Sequence, residues 1–202
     1  MLTLERMDAT FERLKRDEDA TLSRDFVRAA MDSTDLEIAG TAYQFLADER
    51  NVARITPPLD FAEIAAFATA YLGRCLREDP LAVDFIAQRS CTRYGAGWEV
   101  VRWYVRLFKA EPADGAALRG LRAMLAQLYR EGDGSVRAAI AGVTLSHLFA
   151  SAAVRLSFAE WKSDPVLAEA FAAARPVRAT NTGVRVKRAQ PLTKKSSTAI
   201  RT

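Results

Sequence analysis

Histidine and cysteine are scarce in this chain, and their scarcity excludes most metal chemistry. Only His147, Cys75 and Cys91 among the 202 residues are of these two types. A zinc site needs several nitrogen and sulfur ligands close together, and the sequence has neither a Cys-x-x-Cys pair nor a His-Glu-x-x-His motif. Two cysteines far apart in sequence are also no disulfide framework. We therefore expect no bound metal or cofactor, and we interpret Cys75 as a small core residue rather than a reactive thiol.

Phosphate-binding and catalytic motifs are missing as well. The chain has no P-loop, and Gly95-Ala-Gly97 is only a fragment of a dinucleotide-binding motif. His147 is the one residue that suggests acid–base chemistry. Its neighbour Ser146 is not expected to pair with it, because adjacent residues of a helix point about 100° apart. We favour a core or interface histidine bonded to a carbonyl or hydroxyl over a catalytic one.

Strand patterns are nearly absent, and helix-forming residues take their place. Half of the residues are hydrophobic, and alanine, leucine, arginine and glutamate dominate over β-branched types. The one run with strand character, 182–187, has nothing to pair with. We predict an all-α protein of about eight or nine helices, packed as a bundle or a short α-α array.

The densest aromatic stretch, from Tyr94 to Lys109, predicts a central helix. At helical spacing, Glu99 and the cations Arg102, Arg106 and Lys109 share one narrow stripe. This stripe is a solvated face or a site for an acidic partner or a phosphate. Two apolar ridges cover the other sides, and we expect them in the core rather than in a platform for stacking bases. The ridges are Trp98, Val101, Val105 and Phe108, and Val100, Trp103, Tyr104 and Leu107.

Residues 2–16 predict an amphipathic helix with a narrow apolar seam. Leu4, Met7, Phe11 and Leu14 recur at spacings of 3, 4 and 3. Such a seam suits pairing with another helix, in this chain or in a partner.

Capping residues and prolines mark further helix boundaries. Helices are expected at 22–31 and at 34–48, the second with Thr34 as N-cap, and Pro57-Pro58 ends this segment. Asp60 with Glu63 forms a capping box for the next helix, and Asp79-Pro80 and Asp164-Pro165 form matched helix starts. We infer an N-terminal helical segment at 1–55, packed on the core or on a partner, and a helical core at 60–175.

Within the core, residues 115–130 predict one helix and residues 135–162 predict one long helix or two. The stretch from Ala138 to Val154 carries no formal charge. It is short for a membrane span and rich in small and polar residues, so we expect a buried helix there.

Acidic residues are absent from the C-terminal 26 positions, 177–202, which carry seven of the basic ones. Residues 1–176 hold 22 basic against 25 acidic residues, a net charge of −3. The tail buries too little to order itself and is predicted to be disordered. It is a candidate nucleic-acid contact through Arg185, Lys187, Arg188, Lys194 and Lys195.

Residues 114–150 contain a helix, a polar turn and a second helix. The turn and second helix read Asp133-Gly-Ser-Val136-Arg137-Ala-Ala-Ile-Ala. This segment resembles one HEAT/armadillo-type helical repeat, in its acidic turn residue, its Val-Arg pair and the small residues that follow. The resemblance implies an α-α packed scaffold used for protein contacts.

The lack of a recognisable catalytic set and the wide apolar helix faces favour a non-enzymatic protein that binds another protein. A bacterial adaptor or a toxin-neutralising protein acting by surface occlusion fits this description. The N-terminus reaches acidic residues before any apolar run, so a cytoplasmic location is expected. The alternatives are a nucleic-acid-associated regulator using the tail, and a small-ligand binder or enzyme with a cleft near His147.

Overall fold

A computed structural model describes residues 2–80, 91–110 and 115–176, and it confirms an all-α protein. The helix predicted to begin at Pro80 falls on residues 81–90, which lie outside the described residues. The basic tail at 177–202, with its five candidate contacts, lies outside them as well. No described helix has the length and apolar character needed to cross a bilayer.

The N-terminal segment folds into four helices and one short strand pair. The helices are α1 (Leu4–Arg16), α2 (Arg24–Met31), α3 (Leu36–Leu46) and α4 (Glu49–Val52). The strands β1 (Leu22–Ser23) and β2 (Ile55–Thr56) are parallel, with Leu22 opposite Ile55. Two-residue strands leave no alternating pattern in the sequence, so this pair was not predictable from periodicity.

Helix α3 begins at a different cap from the predicted one. Asp35, not Thr34, is its N-cap, and the Asp35 carboxylate accepts a hydrogen bond of 2.8 Å from the Glu37 N–H. The start of the next long helix, α5 (Phe61–Glu78), is as predicted, because Asp60 and Glu63 form a capping box there. The Asp60 N–H donates to Glu63 Oε2 at 3.0 Å.

Asp79 ends α5 as a C-cap in the left-handed region, with φ of 48°. Its Oδ1 accepts a hydrogen bond of 2.7 Å from the Arg93 N–H, which satisfies the carboxylate in this position. Asp164 is the N-cap of α11 (Pro165–Ala173), as predicted, and accepts from the Val166 and Leu167 N–H groups.

The central layer consists of three long helices. Helix α5 packs against both α6 (Arg93–Lys109) and α7 (Gly115–Glu131), and α3 packs on α5 from the N-terminal side. The inward leucines predicted for α7 are all buried, namely Leu118, Leu121, Leu125 and Leu128.

Residues 135–162, predicted as one long helix or two, form several shorter helical elements. Helix α8 (Gly134–Ala139) continues through a π-helical segment (Ile140–Leu145) into α9 (Ser146–Leu148). Helix α10 (Ala152–Leu156), a 3-10 turn (Ala159–Ser163) and α11 (Pro165–Ala173) follow. The break comes at Ser151, because its hydroxyl caps α10 at the Val154 N–H.

Buried side chains from α1 to α11 belong to one hydrophobic cluster. The N-terminal helices therefore pack on the rest of the chain, and the cluster crosses the Pro57-Pro58 break. Tyr104 and Phe158 are among its largest fully buried members.

Candidate functional site

Helix α6 has a buried side and an exposed side, and the exposed side is the candidate site. Thr92 begins the helix by accepting a hydrogen bond of 2.9 Å from the Gly95 N–H. The buried side packs on α5, α7 and the π-helical segment. The other side exposes five large side chains, which lie within about one third of the helix circumference at 3.6 residues per turn. We call these residues the α6 face: Tyr94, Trp98, Arg102, Arg106 and Lys109.

One of the two apolar ridges predicted to lie in the core does not do so, because Trp98 is exposed. Its side chain is 44% exposed, and Tyr94 one turn earlier is 56% exposed. Only the ridge of Val100, Trp103, Tyr104 and Leu107 is buried, while Val101, Val105 and Phe108 are half-buried. Helix amphipathicity predicts which side is apolar, but how far a neighbouring element covers each edge depends on tertiary packing.

The Trp98 ring is held against His147. Their ring centroids lie 4.0 Å apart at an interplanar angle of 49°. The neighbouring residue Gly97 allows this approach, because a Cβ there would lie 2.9 Å from Thr144 Oγ1. The partly exposed Trp98 indole therefore packs on the His147 ring, which belongs to α9.

The hydrogen bonds of His147 define its role. Nδ1 lies 2.6 Å from the Val143 carbonyl oxygen, and because a carbonyl only accepts, Nδ1 carries the proton. Ser146 Oγ lies 3.3 Å from the same Nδ1, so the two side chains approach each other although they are adjacent on a helix. The buried Ser146 hydroxyl is also 2.6 Å from the Gly142 carbonyl oxygen. A protonated Nδ1 cannot accept the Ser146 proton, and this geometry is not that of a base and nucleophile.

The cations of the α6 face are paired loosely. Arg102 forms an ion pair with Glu99 on the same helix, and Arg106 forms one with Glu49 of α4. The Arg106 guanidinium also lies 5.7 Å from the centre of the Trp103 ring. Exposed ion pairs contribute only about 0–1 kcal/mol, and the Glu49 side chain is 83% exposed, so a carboxylate from another molecule can replace Glu49 at little cost.

A cleft of about 240 Å³ lies beside the α6 face. Its base is the hydroxyl of Tyr43, which donates to Glu99 Oε2 at 3.0 Å and accepts from Trp103 Nε1 at 3.1 Å. Burial, and then the nearby Glu99 charge, raise the pKa of Tyr43 far above its ordinary value. Tyr43 therefore remains a neutral donor that positions Glu99. The arginines at the rim make the opening suitable for an acidic group.

The apolar seam of α1 lies elsewhere in the molecule. Met7 and Leu14 are buried, Leu4 is half-buried, and Phe11 stacks on Phe45 with ring centroids 4.7 Å apart. The seam thus packs on α3 within the chain, and it is not part of the α6 face. Among the described residues, no group of three His, Cys, Asp or Glu side chains could hold a metal ion.

Helical spacing predicts the three cations of the α6 face on one stripe, but it does not predict the residues around them. Tyr94 lies in the aromatic stretch without a signal of its own, and the helical pattern places Trp98 in the core. Tyr43 and Glu49 come from the N-terminal segment, and only tertiary packing brings them to α6.

No protein-family model, curated protein or solved structure matches this chain. The resemblance of residues 114–150 to a HEAT-type repeat therefore stays a prediction.

Proposed function

We propose that this chain is a non-enzymatic interaction protein, of the adaptor or toxin-neutralising kind, that binds an acidic surface of a partner protein through the α6 face. The observation that carries this proposal is the row of exposed Tyr94, Trp98, Arg102 and Arg106 on one side of one helix. Tyrosine, tryptophan and arginine are the residue types that dominate the binding energy of protein interfaces.

The α6 face is pre-organised, which favours binding. The Trp98 ring lies against His147, and the Arg106 guanidinium lies over Trp103. Side chains that are already ordered lose less conformational entropy when a partner covers them. The two aromatic rings would supply the apolar centre of the interface.

Charge selects an acidic partner. Arg102, Arg106 and Lys109 present three cations, whereas the carboxylates of Glu99 and Glu49 lie to one side of the exposed row. A partner carboxylate that replaces one of these intrachain ion pairs keeps the arginine satisfied, while a basic partner would meet like charge.

Capture from the native lysate with single-residue variants tests the proposal. The full-length chain and residues 1–176 should both retain the same protein partner, with or without nuclease. Trp98→Ala should weaken binding about thirtyfold, the equivalent of about 2 kcal/mol for a central aromatic residue. The charge reversal Arg102→Glu should also weaken it, and added salt should lower the affinity for the wild-type chain.

Leu156→Ala is the matched control, because Leu156 is 73% exposed on α10, a different element. It should leave binding unchanged. A partner that Trp98→Ala and Arg102→Glu both retain at full affinity would contradict the proposal.

Nucleic acid is the alternative outcome of the same experiment. Exposed aromatic rings beside arginines are also the arrangement that stacks single-stranded bases. DNA or RNA recovered in place of a protein, and lost on nuclease treatment or on deletion of 177–202, would assign the chain to the nucleic-acid-associated class. A small-ligand cleft near His147 is a separate prediction, which a metabolite thermal-shift screen of wild type and His147→Ala would test.

A further inference from the structure

The only two cysteines of the chain lie close together in the fold. Cys75 lies on α5 and is fully buried, and Cys91 lies two residues before α6 and is half-buried. Each cysteine side chain shifts the pKa of the other. Tyr71, one turn before Cys75 on α5, places its hydroxyl 3.9 Å from Cys91 Sγ. Sequence separation indicated no such pairing.

Neighbouring contacts hold the two cysteines together. The Arg93 side chain, two residues after Cys91, donates from Nε to the Leu76 carbonyl at 2.7 Å and from Nη2 to the Arg77 carbonyl at 2.9 Å. The Arg93 N–H donates to Asp79 Oδ1. These bonds fasten the start of α6 to the last turn of α5, where Cys75 lies.

The surroundings of Cys75 also favour the thiolate form of its side chain. Hydrogen bonding from the Cys91 side chain, assisted by the Cys91 N–H and the Tyr71 hydroxyl, lowers the pKa of Cys75 in spite of its burial. The hydrogen bond to Cys75, together with burial, raises the pKa of Cys91. A thiolate is the form that reacts with oxidants, and these surroundings favour it at Cys75.

We propose that Cys75 and Cys91 are a reversible oxidation site, at which a peroxide joins the two sulfurs in one intrachain disulfide. One thiolate attacks a peroxide oxygen, the O–O bond breaks, and the released hydroxide takes a proton to become water. The second cysteine, as thiolate, attacks the resulting sulfenic acid. The S–S bond forms, the S–O bond breaks, and the departing hydroxide is protonated to a second water.

Cys91 is the half-buried member of the pair, and the oxidant reaches the two sulfurs from its side. The disulfide would link the end of α5 covalently to the start of α6. This inference is independent of the proposed function, since it needs no partner.

Peptide mapping of the full chain under non-reducing conditions tests this site. The reduced chain is treated with hydrogen peroxide, remaining thiols are blocked with N-ethylmaleimide, and the digest is analysed by mass spectrometry. We expect a monomer with a linked peptide that contains Cys75 and Cys91 and is lost on addition of dithiothreitol. Because the fold holds the sulfurs together, the link should form about tenfold faster in the native chain than in urea.

Cys75→Ala and Cys91→Ala should each abolish the linked peptide while retaining the far-UV circular dichroism of the wild type. The alanine variant avoids placing a hydroxyl at the buried position 75. Thiols that both remain open to alkylation after peroxide would overturn the proposal. So would sulfinic acid at Cys91 without a link, or links formed only between chains.

Discussion

Four arginines satisfy backbone carbonyls at or just beyond helix C-termini. They are Arg54 at the end of α1, Arg74 beyond α2, Arg93 at the end of α5 and Arg137 at the end of α7. The last carbonyls of a helix have no intrahelical partner, and a cation there also interacts favourably with the helix dipole. These four arginines therefore have a structural role in the described part of the chain and are not free to bind nucleic acid.

Glu63 at the start of α5 carries a charge that should affect stability in acid. It forms ion pairs with Arg24 and Arg28 and accepts from the Asp60 N–H. The Arg28 hydrogen bond and the Asp60 N–H lower the pKa of Glu63 from 4.5 to about 2. A carboxylate whose pKa is lower in the folded state stabilises the fold above its unfolded pKa, and this contribution disappears as the pH falls through the folded pKa.

Glu63→Gln should therefore lower the melting temperature at neutral pH and flatten its decline between pH 4.5 and pH 2. Glu5→Gln, a change at an exposed position in the first turn of α1, should leave the wild-type curve unaltered. Parallel melting curves for wild type and Glu63→Gln throughout this window would show that the ion pairs contribute no pH-dependent stability.

At the scale of elements, the close approach of α6 to the π-helical segment depends on Gly97. A Cβ at this position would lie 2.9 Å from Thr144 Oγ1 and 3.4 Å from Val143 Cγ1. Gly97→Ala should lower the free energy of unfolding, because overpacking costs about 1–3 kcal/mol. The gain from replacing a helical glycine is only about 1 kcal/mol. Urea denaturation followed by circular dichroism measures the difference.

Gly120→Ala is the internal comparison for this test. Gly120 lies within α7, and a Cβ there would meet no atom within 4 Å. This change should raise the free energy of unfolding by about 0.5–1 kcal/mol through helix propensity. Equal effects of the two substitutions would mean that α6 can move away from Thr144 without cost.

The helices could be predicted where local chemistry alone sets their boundaries. The capping box of Asp60 with Glu63 and the Asp164-Pro165 start both depend on residues a few positions apart, and both were predicted. Asp79-Pro80 has the same local sequence as Asp164-Pro165, and the helix predicted after it lies outside the described residues. The Asp79 carboxylate binds the backbone of Arg93, fourteen positions later, and no local pattern reports that contact.

The candidate site, like the helix boundaries, could be predicted only in part. Helical spacing was sufficient to place Arg102, Arg106 and Lys109 on one exposed stripe. The exposure of Trp98 was not predictable, because it follows from how closely α9 and the π-helical segment approach α6. A π-helical segment shifts every later residue relative to the regular helical period, so the neighbours of His147 could not be derived from spacing either.

At the scale of the whole molecule, side chains from both sides of the Pro57-Pro58 break meet in one network. The Tyr43 hydroxyl of the N-terminal segment bonds to Glu99 and to the indole of Trp103, and Glu49 pairs with Arg106. The hydrophobic cluster is continuous across the same boundary. Segments that share a core and a buried polar network are expected to unfold together.

The three tryptophans allow this expectation to be measured, since Trp98, Trp103 and Trp161 all lie after the break. In urea, tryptophan fluorescence and far-UV circular dichroism should follow one coincident transition. Tyr43→Phe should shift both probes together by about 1–3 kcal/mol, because it leaves the buried Trp103 N–H without its acceptor. Tyr94→Phe, at an exposed position, should shift neither. If residues 1–55 were an independent unit, part of the dichroism change would precede the fluorescence change, and Tyr43→Phe would separate the two transitions further.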